Sequence, residues 1–335
     1  MARESIIPVF VPHLGCPNDC VFCNQRRISG HTEPATAQTV REAVERADGL
    51  LPKDTARQLA FYGGSFTAIP VDTQTELLEE AKRCLDAGLI SSLRLSTRPD
   101  AIDGEVLRRL RHYGVETVEL GAQSMDDTVL RLSGRGHAAE DVENAARQIR
   151  VQGFRLILQM MTGLPGDSEE RCIETARRLI ALKPDGVRIY PTVIVRDTAL
   201  YELWQRGRYR EHTVDEAVAW CAKLLPMFDK AGIPVIRLGL NPTDELSGGA
   251  AVGGAYHPAL GELVMSRILY DRARELLTGV PAESHVTLTV GRGKRSQMTG
   301  QHRRNLTALR EEFSLASLTV RERGEPDNDI MIEVR

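Results

Sequence analysis

Short apolar runs alternate with amphipathic stretches throughout residues 1–240. Each run has the length and residue types of a buried strand. The runs occupy residues 6–12, 58–62, 93–97, 117–121, 155–161 and 186–190, and residues 234–238 are a candidate seventh. Between them, apolar residues recur at helical spacing, and glycine or proline ends most of these stretches. The pattern predicts repeated βα units and a parallel sheet.

Six βα units fit a partial TIM-type (β/α)6 barrel, and an open twisted sheet shares the same pattern. The glycine-rich stretch 241–254 is typical of a linker or of a loop over the barrel mouth. Beyond it the periodicity predicts a helix and then a small α/β domain with a strand at 286–290, a helix at 303–313 and strands at 315–321 and 329–334. We predict an α/β chain with a barrel domain at 1–240 and a C-terminal extension at 241–335.

Three cysteines, Cys16, Cys20 and Cys23, lie on the loop after the first predicted strand, with the spacing C-x3-C-x2-C. Three thiolates on one tight loop suit a single iron–sulfur cluster. A four-iron cluster held in this way keeps one iron open for a substrate or cofactor. The alternatives are a structural zinc ion with His13 as the fourth ligand, a disulfide framework, and a chance grouping. The other three cysteines lie on apolar helix faces, where a thiol packs as a small hydrophobe; they are Cys84, Cys172 and Cys221.

The overall charge does not select a partner. The 335 residues carry a formal net charge of −3, which neither favours nor excludes nucleic acid. Apolar runs stay well below the roughly 18 residues that a membrane span needs, and the N-terminus lacks the apolar region of a signal peptide. We therefore expect a cytosolic protein without a membrane partner, in a compartment where thiols stay reduced.

The loops that follow the predicted strands are the expected place for a site, because function lies at the C-terminal strand ends in both candidate architectures. Gly63 and Gly64 let the backbone approach a ligand closely, or simply form a strand-to-helix turn. The guanidinium of Arg98 suits a carboxylate or phosphate, and an internal salt bridge fits it equally well.

The cysteine spacing, with Phe22 just before the third cysteine, resembles the signature of the radical S-adenosylmethionine (SAM) enzymes. The resemblance implies a [4Fe–4S] cluster with one open iron, which the amino and carboxylate groups of SAM chelate. It further implies reductive cleavage of SAM to a 5′-deoxyadenosyl radical, with the electron supplied by a donor such as a flavodoxin or a ferredoxin.

Further motifs occur in the order expected for one family. FYGGSFT at 61–67 resembles the superfamily motif that ends the second strand. Four others resemble the Elongator catalytic-subunit family, with milder similarity to oxygen-independent coproporphyrinogen oxidases; they are STRPD at 96–100, VELGAQS at 118–124 with GRGH at 134–137, MMTGLPG at 160–166 and PDGVRIYPT at 184–192. Fewer than 100 residues follow Asn241 and carry no acetyl-CoA signature, so we expect the radical SAM domain without the acetyltransferase domain of that family.

The resemblance also implies roles for individual residues. Gly63 and Gly64 would contact the methionine amino group, Gln123 and Ser124 would face SAM or substrate, and the remaining two cofactor contacts would come from Gln159 at the ribose and Phe22 near the adenine.

Structural alternatives remain open for several positions near the expected site. Gln159 could bond a neighbour inside the barrel, Glu119 is predicted to pair with Arg98 or Arg155, and Tyr190 either contacts substrate or closes the barrel mouth. His257, before a proline at a helix start, is either structural or an acid–base group near the substrate.

A local basic segment lies near the C-terminus, since residues 284–310 contain no aspartate or glutamate. Its cations are Arg292, Lys294, Arg295, Arg303, Arg304 and Arg310. Basic loops and helix N-termini hold phosphates, whereas a solvated face balanced by Glu311 and Glu312 is the plainer interpretation. We predict recruitment of tRNA or rRNA. The alternatives are a small-molecule, tetrapyrrole or peptide substrate, or a non-catalytic binding protein stabilised by a metal or cluster.

Overall fold

The structure, a computed structural model, describes residues 4–11, 20–23, 34–52, 55–243, 246–324 and 329–335. The chain divides into two compact units. The first, here the barrel unit, comprises Met1–Thr213 and Met227–Tyr256. The second, here the C-terminal unit, comprises Val214–Pro226 and His257–Arg335.

The barrel unit is built on a seven-stranded parallel sheet whose strands follow one another in chain order. The strands are β1 (Glu4–Val11), β2 (Ala56–Gly63), β3 (Ser92–Thr97), β4 (Val115–Gln123), β5 (Arg155–Thr162), β6 (Gly186–Pro191) and β8 (Val235–Leu238). Sequential parallel strands joined by helices form the predicted partial barrel, and β8 confirms the candidate seventh strand.

Helices connect the strands and bury their apolar sides. They are α1 (Ala37–Leu50), α2 (Val71–Asp86), α3 (Gly104–His112), α4 (Asp127–Leu132), α5 (Ala139–Val151), α6 (Glu169–Ala181), α7 (Ala199–Gln205) and α8 (Val214–Lys230). Side-chain caps fix several starts, since Asp103 accepts from two backbone amides of α3 and Ser168 accepts from Arg171 of α6. In the part of the chain described here, none of these helices, nor those of the C-terminal unit, has the length and apolar content to cross a bilayer.

A second, two-stranded sheet belongs to the barrel unit and was not predicted. Strand β7 (Val193–Val195) pairs antiparallel with β9 (Ala251–Gly254), and the helical turn Leu246–Ala250 precedes β9. The apolar side chains of these segments pack together, which a short glycine-rich sequence does not reveal. The described part of the stretch 241–254 therefore contains a helical turn and a strand, and it belongs to the barrel unit.

The C-terminal unit is a small α/β fold of its own. Its elements are α9 (Leu260–Leu277), β10 (His285–Val290), α10 (Arg295–Thr299), α11 (Arg304–Glu312), β11 (Ser317–Glu322) and β12 (Ile330–Val334). Strand β10 is central, parallel to β11 and antiparallel to β12. Leu269, Leu288 and Leu309 contribute to its buried core. The predicted order is confirmed, with the short α10 as an addition.

Candidate functional site

The cysteine loop leaves β1 at the carboxyl end of the sheet. Cys16 and His13 lie outside the described residues, whereas Cys20 and Cys23 are described and half-buried. The amide of Cys23 donates to the carbonyl of Cys20 over 3.0 Å, which closes a tight turn. The five described cysteines form no disulfide with one another.

Backbone contacts from distant parts of the barrel unit hold this turn. The amide of Val21 donates to the carbonyl of Ser133 over 3.0 Å, and the carbonyl of Val21 accepts from Leu200 over 2.7 Å. Phe22 packs against an apolar cluster that includes Ile194 and Leu200. The turn is therefore fixed between the end of α4 and the start of α7. The adenine contact predicted for Phe22 stays a prediction.

The remaining cysteines pack as core residues, as predicted. Cys84, Cys172 and Cys221 are all buried. Burial raises the pKa of Cys84, and it raises the pKa of Cys221 to about 12. Thiols with raised pKa values are poor metal ligands and poor nucleophiles, which suits a structural role.

Gly63 ends β2 directly beside β1. It adopts φ +108°, and a Cβ added there would lie 3.2 Å from the carbonyl oxygen of Val11. The amide of Gly64 donates to that same oxygen over 3.0 Å. Glycine at 63 is thus required by the backbone conformation and by the neighbouring strand. The SAM contacts predicted for Gly63 and Gly64 stay predictions.

The end of β4 presents a buried amide. Gln123 adopts φ +67° where the pairing with β5 shifts register, and its Oε1 atom is buried without a hydrogen-bond partner in the described part of the chain. The neighbouring Ser124 hydroxyl accepts from the backbone amide of Asp126 and lies 3.4 Å from the hydroxyl of Thr175 on α6. The contacts with SAM or substrate predicted for Gln123 and Ser124 stay predictions.

A polar network crosses the interior of the sheet and centres on Glu119 of β4, which is fully buried. Its Oε1 accepts from the hydroxyl of Tyr62 at 3.1 Å and from Nη1 of Arg94 at 2.8 Å. Its Oε2 accepts from Nε2 of Gln159 at 2.9 Å and pairs with Nε of Arg188 at 3.0 Å. Strands β2 to β6 each contribute one member, so the network ties their relative positions together.

The charges in this network shift the properties of its members. Burial is the largest single influence on the pKa of Arg188 and lowers it, but the combined influence of Glu119, Tyr190 and Tyr62 is larger still, so the pKa of the arginine is raised. Burial and the same carboxylate raise the pKa of Tyr62, and burial raises that of Tyr190. Both phenols therefore remain protonated at neutral pH.

The structure corrects the predicted partners of Glu119. Glu119 pairs with Arg94 and Arg188 rather than with Arg98 or Arg155. Sequence reasoning gave no role to Arg94 or Arg188, because an inward position on a strand does not by itself name the partner. Gln159 bonds a neighbour inside the barrel, as its structural alternative states, and its ribose contact stays a prediction.

Arg98 is committed to an internal salt bridge. Its Nε and Nη2 atoms donate to the two carboxylate oxygens of Asp100 at 2.9 and 3.0 Å, and Nη2 also donates to the carbonyl of Arg135. The internal salt bridge that was one alternative for Arg98 is thus present, and its contact with substrate stays a prediction. Arg135, not singled out by sequence reasoning, donates from Nη1 to Sγ of Cys20 at 3.2 Å.

His137 completes the buried groups beside this loop. Its Nε2 lies 3.3 Å from the carbonyl oxygen of Ala122. Burial, followed by the positive charges of Arg135 and Arg98, lowers the pKa of His137 to about 4. The imidazole is neutral at physiological pH.

Comparison with known protein families identifies the family of this chain. The sequence profile of the Radical SAM superfamily matches residues 10–179, and that of the Radical_SAM C-terminal domain matches residues 184–269. The chain belongs to the radical SAM superfamily. It is an enzyme, and the cofactors of radical SAM enzymes, a [4Fe–4S] cluster and SAM, are its cofactors.

Individual relatives are similar to this chain over almost two thirds of its length. The human Elongator complex protein 3 is 34% identical over 257 residues, which is 64% of this chain and 47% of that protein. The tRNA uridine(34) acetyltransferase of Methanocaldococcus infernus is 27% identical over 260 residues, 65% of this chain and 48% of that protein. The chain thus spans about half the length of these curated relatives.

A solved structure shares the fold. The archaeal Methanocaldococcus infernus Elp3 with an N-terminal deletion superposes with a TM-score of 0.62 and 24% identity, over 80% of this chain and 63% of that chain. The Elongator-like resemblance of the sequence motifs is confirmed at the level of family and fold.

The described residues of this radical SAM enzyme fit both cofactors. Cys20 and Cys23 offer two half-buried thiols on one turn, and thiolates are the ligands of iron–sulfur clusters. The buried Oε1 of Gln123 is an acceptor that needs a donor, and the amino and hydroxyl groups of SAM can supply one. These residues lie at the carboxyl ends of strands, where barrel enzymes carry their sites.

His257 belongs to the C-terminal unit. Its Nδ1 accepts from the amide of Ala259 at 3.1 Å, just before α9 begins. This contact is a local cap, so the structural alternative accounts for the histidine. The acid–base role stays a prediction without a supporting contact.

Proposed function

We propose that this radical SAM enzyme modifies an RNA, either tRNA or rRNA, and that Cys16, Cys20 and Cys23 hold its four-iron cluster. The observation that carries the RNA substrate is the similarity, over about three-fifths of the chain, to proteins named tRNA uridine(34) acetyltransferase and Elongator complex protein 3. Because the matched region is about half of those proteins, acetyl transfer is not part of the proposal.

When bound, the cluster and SAM would supply one-electron chemistry, by which a 5′-deoxyadenosyl radical would take hydrogen from the substrate. The protein has to position SAM and substrate and keep water away. Gln123 offers a buried acceptor to SAM, and the Glu119 network holds five strands in fixed register beneath it. The proposal includes a flavodoxin or ferredoxin as electron donor, and a cytosolic location where thiols stay reduced.

The C-terminal unit offers a surface suited to phosphates. Two turns flank the short helix α10, one at residues 291–294 and the other at 300–303. The basic surface that they form with the adjoining helix starts consists of Arg292, Lys294, Arg295, Arg303 and Arg304. Its four arginines are exposed, and Lys294 is half-buried. None of the five side chains forms an ion pair within the described residues, so they remain available to phosphate oxygens.

Neutralising three members of this surface tests the RNA proposal. Replacing Arg292, Lys294 and Arg295 with glutamine is expected to weaken RNA binding at low salt. Binding by the variant would neutralise fewer phosphates and would therefore release fewer counterions. For three lost contacts on a single strand, the negative slope of log K against log salt should become shallower by roughly two units. Gel-shift titrations with tRNA and rRNA fragments at several salt concentrations measure both quantities.

The matched control removes three arginines from the barrel unit. Arg147, Arg177 and Arg206 are exposed and lie on α5, α6 and just after α7. Their replacement by glutamine makes the same change in net charge and should leave the salt slope near that of the wild type. A wild-type protein without affinity for either RNA at low salt would reject this substrate class and favour a small molecule or a peptide.

A further inference from the structure

The guanidinium of Arg135 contacts one of the cysteine sulfurs. Its Nη1 donates to Sγ of Cys20 at 3.2 Å, and its Nη2 donates to the carbonyl oxygen of Gly121 at 2.7 Å. The side chain is buried, with 6% of the residue exposed. A buried arginine directed at a thiol from a position 115 residues away in the chain is a built contact rather than a surface accident.

The surrounding backbone fixes the direction of this side chain. Arg135 stands between Gly134 and Gly136, which both adopt positive φ and let the chain turn sharply on each side of it. The carbonyl of Arg135 accepts from Arg98, which Asp100 holds through both carboxylate oxygens. The guanidinium is thus held by the carbonyl oxygen of Gly121 on β4, and the backbone that carries the side chain is held by Arg98.

Gly121, near the end of β4, leaves room for the guanidinium of Arg135. A Cβ added to Gly121 would lie 3.4 Å from Nη2 of Arg135, so a larger residue there would crowd the arginine. The nearby His137 is neutral, because burial lowers its pKa to about 4. Of Arg135 and His137, only Arg135 therefore brings a positive charge to Cys20.

A positive charge and a hydrogen bond at a cluster thiolate act on the reduction potential. Reduction by one electron adds a negative charge to the cluster, and a fixed donor in a low-dielectric site stabilises that charge. Hydrogen bonds to cluster sulfurs are an established means by which proteins tune this potential.

We propose that Arg135 is a positioning residue that acts through Cys20 and raises the reduction potential of the cluster. The electron would come from the external one-electron donor and add to the cluster. The inference rests on the proposed role of Cys20 as a cluster ligand.

Redox titration of the anaerobic holoenzyme without SAM, followed by the electron paramagnetic resonance signal of the reduced cluster, tests this role. Arg135→Gln removes the charge, and we expect the ratio of reduced to oxidised cluster at a fixed potential to fall about tenfold, which is ~59 mV for one electron. Arg135→Lys keeps the charge but loses the planar fork, and about a threefold fall is expected. The control Arg131→Gln removes an exposed charge on α4, and solvent screening should leave the potential unchanged.

The outcomes separate this inference from the proposed function. Arg135→Gln with full iron content and the wild-type potential would overturn the inference. If that variant does not assemble a cluster, Arg135→Lys decides, and an unchanged potential in it would likewise overturn the inference. A wild-type protein that binds no cluster on Cys20 would overturn the proposed ligand set, and the role of Arg135 with it.

Discussion

Cys20→Ala is expected to lose the cluster, with iron falling from about four atoms per chain to near none. Two thiolates cannot hold a four-iron cluster that depends on three, and the turn between Cys20 and Cys23 places both sulfurs on one short segment. Iron and acid-labile sulfide assays on anaerobically prepared protein measure the loss. SAM cleavage should disappear in the same variant, because the electron reaches SAM only through the cluster.

Cys84→Ala is the matched control for this experiment. Cys84 is buried on α2, with 5% of the residue exposed, and burial raises its thiol pKa. The same thiol-to-methyl change at this position should leave the iron content intact. Full iron content in Cys20→Ala would remove Cys20 from the ligand set and revive the alternatives left open by the spacing.

Glu119→Gln is expected to lower the free energy of unfolding by about 3–5 kcal/mol, the range found when one partner of a buried ion pair is removed. Glu119 is fully buried, and the substitution would leave the charges of Arg94 and Arg188 inside the sheet without their carboxylate. Urea denaturation followed by circular dichroism, on the wild type and the variant prepared in the same cluster state, measures the difference.

An exposed ion pair provides the comparison. Glu174 lies 3.2 Å from Arg177 one helical turn away on α6, and more than half of each side chain is exposed. Glu174→Gln should cost less than about 1 kcal/mol, because water and salt screen such pairs. A loss for Glu119→Gln no larger than that of Glu174→Gln would show that the network does not stabilise the barrel unit.

Local patterns in the sequence were sufficient to predict the seven strands of the barrel sheet. Buried parallel strands are continuous apolar runs, so the residues around Val118 and Leu158 identify β4 and β5 without any tertiary information. The cysteine spacing is equally local. It indicates a cluster because three thiols within one short loop can meet at one point.

Contacts between distant segments could not be predicted in this way. The contact between Arg135 and Cys20 depends on how the loop after α4 folds back toward the cysteine turn. The partners of Glu119 come from four other strands, and a strand pattern identifies a face of the sheet rather than a neighbour. Strand β9 was not predicted, because its short glycine-rich sequence lacks a strand pattern and the strand forms by pairing with β7.

The most direct test of the central claim is the release of 5′-deoxyadenosine from SAM. Reduced, cluster-loaded enzyme would be incubated anaerobically with SAM, with and without tRNA or rRNA, and both the nucleoside and the mass of the RNA would be measured. We expect RNA to accelerate the release of 5′-deoxyadenosine and to change in mass, and we expect the Cys20→Ala variant neither to release the nucleoside nor to modify the RNA. Cluster-loaded wild-type enzyme that releases 5′-deoxyadenosine at the same rate with and without RNA, and leaves the RNA unmodified, would contradict it.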